Sequence, residues 1–311
     1  MNFELTKENF RGPWTGLPVA WDDSLRFDEK TYREDVASCC KARVPGVYTG
    51  GTTGEFYAME FDEFKAVTKA AVETCREHGT PVMIGCSSTY TLGVVRRAHY
   101  AAELGAQAIQ VALPFWMEVP DDRVAPFYAE VGAAVPGLAL SVYETRRTKK
   151  ALTLEQHRQI KQAAPHYLMV KANDGTVGDT ADGCRELSKI TNVFVGEDRW
   201  AELAPLGASG GCSSLTYWFP RFVLETWSQV EARNWDEAKR RCAVLHAVFS
   251  QLGVFFAGRG FTDSAYDRLG GALTGFLKGG LRCRGPYPSA TPDDVAKLRA
   301  WCEQNHPELF R

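Results

Sequence analysis

Histidine is scarce in this chain, and cysteine occurs without the spacings that bind metals or build disulfide frameworks. The six histidines form neither an HxH nor an HExxH pattern, which argues against a zinc or iron site. The nine cysteines are odd in number and include no CxxC pair, and only Cys39 and Cys40 are adjacent. Scattered thiols of this kind are typical of a reduced cytosolic protein. The composition therefore predicts no metal and no other cofactor.

The chain also lacks long apolar runs and any excess of basic residues. Its longest weakly polar stretch, His246 to Gly258, is too short and too mixed to span a bilayer. The N-terminal segment carries acidic residues and has no apolar core of the kind found in signal peptides. The formal net charge of -2 shows no bias toward nucleic acids or anionic membranes. These absences predict a cytoplasmic protein that binds neither nucleic acid nor a membrane.

What the chain does contain is a regular alternation of short apolar runs with longer amphipathic stretches. Eight runs predict strands at Gly16–Ala20, Gly46–Tyr48, Pro81–Gly85, Ala108–Ala112, Leu138–Tyr143, Tyr167–Lys171, Val193–Gly196 and Gly207–Cys212. Helical spacing predicts helices at Phe61–Glu77, Leu92–Leu104, Asp121–Val135, Leu154–Ala164 and Thr180–Ile190. Such strand–helix repeats indicate a closed (β/α)8 TIM barrel. An open doubly wound sheet is the competing fold, but no GxGxxG follows the first strand.

The strand pattern stops after Trp227. Three further helices are predicted, at Trp235–Phe256, Ala265–Gly275 and Pro292–Cys302. We therefore expect a catalytic α/β barrel in residues 1–228 and a C-terminal helical extension in residues 229–311.

A lysine ends the apolar run of the sixth predicted strand. Lys171 follows Tyr167-Leu168-Met169-Val170, so its amine would lie at the end of a buried strand. Loss of hydration lowers a lysine pKa, and a neutral amine can attack a ketone to form a Schiff base. Alternatively, the side chain reaches past the strand end into water, which is the commoner situation for a lysine.

Other candidate residues stand at the carboxyl ends of predicted strands, where barrel enzymes place their active sites. The turn Gly51-Thr52-Thr53-Gly54-Glu55 offers hydroxyl and backbone N–H donors that can hold a carboxylate, or it is a simple turn with a helix cap. Tyr143 ends strand five, where a tyrosine is more often a core residue. Strand eight ends in Cys212-Ser213-Ser214, and Ser213 either binds a substrate hydroxyl or only makes the loop polar.

The order and spacing of these features resemble the dihydrodipicolinate synthase / N-acetylneuraminate lyase family. The GTTGE turn, Tyr143 and Lys171, the last two 28 residues apart, carry the resemblance, which covers about residues 12 to 300. It implies a metal-independent class I aldolase mechanism in which Lys171 forms an imine with pyruvate or another 2-oxo acid. Tyr143 would shuttle protons, with Thr53 linking it to solvent or to a neighbouring aromatic residue. Thr52 and Thr53 would hold the carboxylate. The resemblance also implies a homo-oligomer, a tetramer or a dimer.

The chain departs from the synthase branch after Tyr143. The Asn-x-Pro segment and the arginine that follow there in the family are replaced by Glu144 to Lys150, in which Thr148 takes the place of the arginine. Arg146 or Arg147 either substitutes for it or belongs to a solvated basic loop. Phe115-Trp116 replaces a tyrosine pair, and its Leu-Pro-x-Trp context resembles hydratase-aldolases of aryl-substituted pyruvates. The segment after Lys171 instead resembles 2-oxo-3-deoxy sugar-acid dehydratases.

The sequence thus predicts a lyase that acts on a small-molecule 2-oxo acid by aldol-type cleavage or condensation. Dehydration of a 2-oxo-3-deoxy sugar acid through the same imine is the alternative, and a non-catalytic 2-oxo acid sensor is a third reading. We expect Lys171, Tyr143 and Thr53 to be catalytic. Substrate-binding residues are expected at Thr52, Gly51, Trp116, Cys212 and Ser213.

Overall fold

Eight parallel strands form a closed barrel in sequence order, as predicted, in a computed structural model that describes residues 4–311. The strands are β1 (Gly12–Gly16), β2 (Gly46–Thr49), β3 (Val82–Gly85), β4 (Ala108–Val111), β5 (Ala139–Tyr143), β6 (Tyr167–Lys171), β7 (Asn192–Phe194) and β8 (Ala208–Ser213). The first strand was predicted too late in the chain. Pro18 has no N–H to donate to a neighbouring strand, and the segment after Gly16 is a buried connection instead.

Helices surround this barrel and continue beyond it. They are α1 (Glu29–Lys41), α2 (Phe61–Glu77), α3 (Thr91–Leu104), α4 (Asp121–Ala134), α5 (Leu154–Ala163), α6 (Ala181–Leu187), α7 (Trp200–Leu203), α8 (Leu215–Trp218), α9 (Pro220–Glu231), α10 (Trp235–Phe256), α11 (Asp263–Leu273) and α12 (Pro292–Asn305). The capping box of Thr153 and Gln156 starts α5. Helix α1 was not predicted, although Tyr32, Val36 and Cys39 share its buried face. Within residues 4–311, no helix is long and apolar enough to cross a membrane.

The barrel interior is filled by side chains that alternate with those facing the helices. Trp14, Tyr48, Met83, Met169 and Phe194 belong to this inner cluster, and all are buried. Because strand residues alternate between two faces, Lys171 points to the same side as Met169. The barrel interior is thus filled by packed side chains, and Lys171 lies at the carboxyl end of β6, above this inner cluster.

The C-terminal helices pack on the barrel rather than standing apart from it. Asp35 of α1 accepts hydrogen bonds from the backbone N–H groups of Lys278 and Gly279, at 2.7 and 2.9 Å. The expected boundary between residues 228 and 229 falls inside α9. Since a helix forms cooperatively, we propose that the helical extension begins after α9.

Candidate active site

The backbone pairing of β5 and β6 brings a tyrosine and a lysine side by side. Tyr143 and Lys171 are register partners at the carboxyl ends of the two strands. The Lys171 Nζ atom lies 4.4 Å from the centroid of the Tyr143 ring. Both side chains point into the mouth of the barrel, because each continues the inward-facing row of its strand. The two residues predicted to carry the chemistry are therefore in contact.

The ionisation of Lys171 differs from the expectation. Burial lowers the pKa of its amine, but the surrounding acidic groups outweigh this and raise that pKa above its ordinary value. These groups are Tyr143, Cys212, Asp263 and Asp267. The lowering of this pKa that burial alone would cause is therefore offset by the neighbouring groups. A neighbouring group must take its proton before the amine can attack a carbonyl carbon.

The two threonines of the turn after β2 have separate partners. The Thr52 hydroxyl lies 3.1 Å from the Tyr143 hydroxyl, whereas the Thr53 hydroxyl donates to Asp267 Oδ2 at 2.5 Å. The predicted link between Thr53 and Tyr143 is thus wrong, and Thr52 occupies that position. Consecutive residues of a tight turn point in different directions, so one of the two threonines faces the tyrosine and the other faces α11.

Glycine and a buried carboxylate fix the shape of this turn. Gly50 has a φ of +79° and approaches the backbone of Gly85, so a Cβ atom would meet the Gly85 oxygen at 2.8 Å. A Cβ atom at Gly51 would lie 2.3 Å from the Tyr48 hydroxyl. Glu55 ends the turn at a φ of 54°. Gly51 thus contributes its backbone to the turn, and its position has no room for a side chain.

Glu55 is buried within a set of hydrogen-bond donors. Its carboxylate accepts from Trp21 Nε1 at 2.6 Å and from the Arg284 backbone N–H at 2.7 Å. It also forms a salt bridge with Arg268 of α11, in which both side chains are almost completely buried. Ser264, at the start of α11, donates to the Thr52 carbonyl oxygen at 2.9 Å. Helix α11 therefore holds the turn in place.

Two cavities adjoin the Tyr143–Lys171 pair, one lined by Tyr143 and the other by Lys171. The more apolar one has a volume of about 220 Å³ and is lined by Thr52, Phe56, Tyr57, Ala112, Phe115, Tyr143, Arg147 and Tyr287, among others. The more polar one, of about 280 Å³, is lined by Thr53, Lys171, Glu197, Cys212, Ser214, Asp263 and Asp267, among others. An apolar cavity thus adjoins Tyr143, and a polar cavity adjoins Lys171.

Three predicted substrate-binding residues have different positions. Cys212 lines the polar cavity, and burial raises the pKa of its thiol. Ser213 points to the opposite face of β8 and donates to Glu197 Oε1 at 2.6 Å, so Ser214 lines the cavity instead. Trp116 is 74% exposed and lies outside both cavities, whereas its neighbour Phe115 lines the apolar one. Neither Ser213 nor Trp116 lines the two cavities of a single chain, and their contacts with a substrate stay predictions.

The two arginines of the basic loop after Tyr143 lie in different surroundings. Arg146 is exposed and pairs with Asp174 at 2.8 Å. Arg147 lines the apolar cavity and pairs with Asp263 at 2.9 Å. Thr148 is buried beside them. The guanidinium of Arg147 is thus the one in this loop that faces the site.

Helix α11 supplies two acidic residues that the sequence analysis missed. Asp263 and Asp267 line the polar cavity with Lys171. Burial raises the pKa of Asp267 to about 7, helped by the nearby charge of Asp263, while the hydroxyls of Thr53 and Ser214 oppose this. Asp263 and Asp267 are four residues apart, one helical turn, and Arg268 follows Asp267 in the sequence. This charged cluster is the signal that could have revealed them, since such residues are rarely buried as Asp267 and Arg268 are.

Comparison with known proteins relates this chain to one family and to relatives within it. A model of the dihydrodipicolinate synthetase family matches residues 9–256. A trans-O-hydroxybenzylidenepyruvate hydratase-aldolase of Pseudomonas aeruginosa is 27% identical over 146 residues, which span 45% of this chain and less than half, 43%, of that protein. A probable 5-dehydro-4-deoxyglucarate dehydratase of Arthrobacter sp. (strain FB24) is 26% identical over 302 residues, 91% of this chain and 92% of that protein.

The similarity extends to solved structures. The wild-type sialic acid aldolase of Ruminococcus gnavus superposes with a TM-score of 0.85 at 18% identity, covering 97% of this chain and 100% of that one. At this level of identity the superposition supports the fold alone.

Proposed function

Because this chain belongs to the dihydrodipicolinate synthetase family, we propose that it is a lyase that forms an imine between Lys171 and a 2-oxo acid. The observation that carries this proposal is the contact of Lys171 with Tyr143, whose hydroxyl in turn lies 3.1 Å from that of Thr52. A molecule that only sensed a 2-oxo acid would need neither an amine nor a proton relay beside it. The expected reaction is aldol-type cleavage or formation of a carbon–carbon bond.

The chemistry follows from the groups around the lysine. After losing a proton, the Lys171 nitrogen attacks the carbonyl carbon of the 2-oxo acid, and the carbonyl oxygen leaves as water. The resulting cationic imine withdraws electrons from the adjacent carbon and stabilises the enamine formed when a bond to that carbon breaks. Tyr143 lies against the amine and can exchange protons with Thr52, so it is the group that moves protons during these steps.

The shape of the site bears on the substrate. The apolar cavity, with Phe56, Phe115 and Tyr287 in its wall, favours an aldehyde or 2-oxo acid that carries an apolar group. The polar cavity, with Asp263 and Ser214, favours hydroxylated carbons and supports dehydration of a sugar acid as the second candidate. The match along nearly the whole chain to a probable dehydratase is the observation behind this alternative. Release of pyruvate with an aldehyde identifies an aldolase, whereas loss of water without such a fragment identifies a dehydratase.

Two exposed apolar side chains bear on assembly. Trp116 and Met117 follow β4 and are 74% and 73% exposed. Large apolar side chains that are this exposed are typical of contact surfaces. We propose that they take part in a homo-oligomer, a tetramer or a dimer, which sedimentation of the purified protein would measure.

Trapping with borohydride tests the proposed function. The protein is incubated with pyruvate, reduced with borohydride and digested, and the peptides are analysed by mass spectrometry. Reduction converts an imine into a stable secondary amine, so we expect the peptide that contains Lys171 to gain the mass of reduced pyruvate. An unmodified Lys171 under saturating pyruvate would refute the imine mechanism.

Replacement of Tyr143 should separate imine formation from proton transfer. Tyr143→Phe keeps the ring beside Lys171 but removes the hydroxyl, so we expect the trapped adduct to persist while turnover falls by about 10²-fold. The measurement is turnover of a 2-oxo acid together with the adduct yield. Tyr100→Phe, on the outer surface of α3, is the matched control and should change neither quantity. Wild-type turnover by Tyr143→Phe would remove Tyr143 from the mechanism.

A further inference from the structure

Asp267 is a buried carboxyl group in the reaction cavity that the imine chemistry described above does not use. It projects from α11, is only 7% exposed, and lines the same cavity as Lys171. The Thr53 hydroxyl donates to its Oδ2 atom at 2.5 Å and so fixes the orientation of the carboxyl group. Its position therefore combines burial, a defined orientation and access to whatever binds beside Lys171.

No arginine or lysine in the described part of the chain forms a salt bridge with Asp267. Arg268, the next residue of α11, pairs with Glu55, and Arg147 pairs with Asp263. A buried carboxylate is costly unless it is paired, and the usual response is to hold a proton. Asp267 is thus not built as half of a structural ion pair.

The charged and titratable groups around Asp267 come from several elements. Those that face it or share its cavity are Asp263, Lys171, Tyr48, Glu197, Cys212 and Tyr217. Burial is the main cause that raises the pKa of Asp267 to about 7, and the charge of Asp263 adds to it. At neutral pH the group therefore exists in both protonation states, as a general acid–base group must.

We propose that Asp267 exchanges a proton with the oxygen atom on the second carbon from the imine carbon, and so controls loss or addition of water there. This inference rests on the proposed function, because it assigns Asp267 to the substrate bound by Lys171. In this assignment Tyr143 exchanges protons at the imine carbon and at the carbon next to it. Asp267 exchanges a proton with the oxygen on the following carbon.

The step balances for loss of water. Tyr143, as its phenolate, takes a proton from the carbon next to the imine carbon, and the electron pair forms the enamine. That pair then becomes a carbon–carbon double bond as the carbon–oxygen bond at the second carbon breaks. The electrons of that bond go to the oxygen, which takes the proton of the Asp267 carboxylic acid and leaves as water. Solvent returns a proton to Asp267 and removes the one held by Tyr143, and addition of water is the reverse.

The test uses the full-length protein and its Asp267→Asn variant. Asparagine can still accept the Thr53 hydrogen bond but cannot carry the proton. The probes are pyruvate, 5-dehydro-4-deoxyglucarate for loss of water and trans-o-hydroxybenzylidenepyruvate for addition. We expect pyruvate still to be trapped on Lys171 and its methyl protons still to exchange in D₂O, with both falling much less than turnover of the longer probes. Turnover of the water-dependent probe should fall by about 10²-fold, mainly in kcat.

The pH profile separates a proton carrier from a merely structural residue. In the wild type, kcat/KM for water loss should fall as the pH rises through about 7, since the acid form is needed. In Asp267→Asn, kcat/KM should not show this fall. Asp263→Asn should keep this fall in kcat/KM but shift it to lower pH, because the negative charge of Asp263 raises the pKa of Asp267. For water addition, kcat/KM should instead fall as the pH drops below about 7, because the carboxylate form of Asp267 is needed. Asp263→Asn should shift this fall to lower pH as well.

The remaining outcomes each decide against the inference. If Asp267→Asn keeps wild-type turnover, or loses proton exchange and turnover in parallel, Asp267 is not the proton carrier. If the wild type traps pyruvate but turns over neither of the two longer probes, the imine mechanism survives and the role of Asp267 does not. If the wild type traps no pyruvate, the proposed function itself fails and this inference fails with it.

Discussion

Lys171→Ala should abolish the borohydride-trapped adduct and reduce turnover by at least about 10⁴-fold. Enzymes accelerate reactions by at least about 10⁶-fold in typical cases, and in the proposed mechanism that acceleration depends on the imine as an electron sink. Alanine leaves the strand end intact, because β6 is held by its backbone pairing to β5 and β7. The measurements are adduct yield by mass spectrometry and turnover with a 2-oxo acid.

A second lysine near the same end of the barrel provides the control. Lys149 is exposed in the loop after Tyr143, and its Nζ atom donates to the Trp116 carbonyl oxygen. Lys149→Ala should keep both the adduct and most of the turnover. Retention of the adduct by Lys171→Ala would mean that another amine forms the imine.

Removal of Arg268 should lower the free energy of unfolding by about 3–5 kcal/mol. Arg268→Met would keep much of the side-chain volume but leave the Glu55 carboxylate buried without its cation, which is the costly way to break a buried pair. Because Glu55 ends the turn that carries Thr52 and Thr53, pyruvate trapping should weaken as well. Urea unfolding followed by circular dichroism measures the loss of stability.

Two further variants give this prediction its controls. The double variant Glu55→Gln, Arg268→Met removes both charges and should recover part of the stability lost in the single variant. Arg221→Met breaks a pair with Glu225 on the exposed face of α9 and should cost less than about 1 kcal/mol. If Arg268→Met unfolds at the same urea concentration as Arg221→Met, the buried pair does not stabilise the fold.

The sequence allowed the barrel and its central pair to be predicted because both depend on local patterns. The bounds of β6, Tyr167–Lys171, are those predicted, since a short apolar run ending in a lysine has few other interpretations. Tyr143 and Lys171 both end strands, and strand ends of a parallel barrel converge. Their contact follows from the register of two neighbouring strands.

Features that depend on the direction of a single side chain could not be predicted in this way. Thr52 and Thr53 are adjacent and chemically identical, so only the three-dimensional turn shows which one contacts Tyr143. β8 ends one residue later than expected, so Ser213 donates to Glu197 and Ser214 lines the polar cavity. Asp267 is 96 residues from Lys171 in the sequence, and no local pattern links them.

The salt bridge between Glu55 and Arg268 also makes the stability of the turn after β2 depend on a helix that is synthesised much later. Ribosomes add about 5–20 residues per second, so the turn after β2 emerges many seconds before α11 is synthesised. During that interval the Glu55 carboxylate lacks its cationic partner, so the turn is without one of the contacts that stabilise its final shape. Translation must therefore pass residue 268, well after all eight strands have been made, before this salt bridge can stabilise the turn.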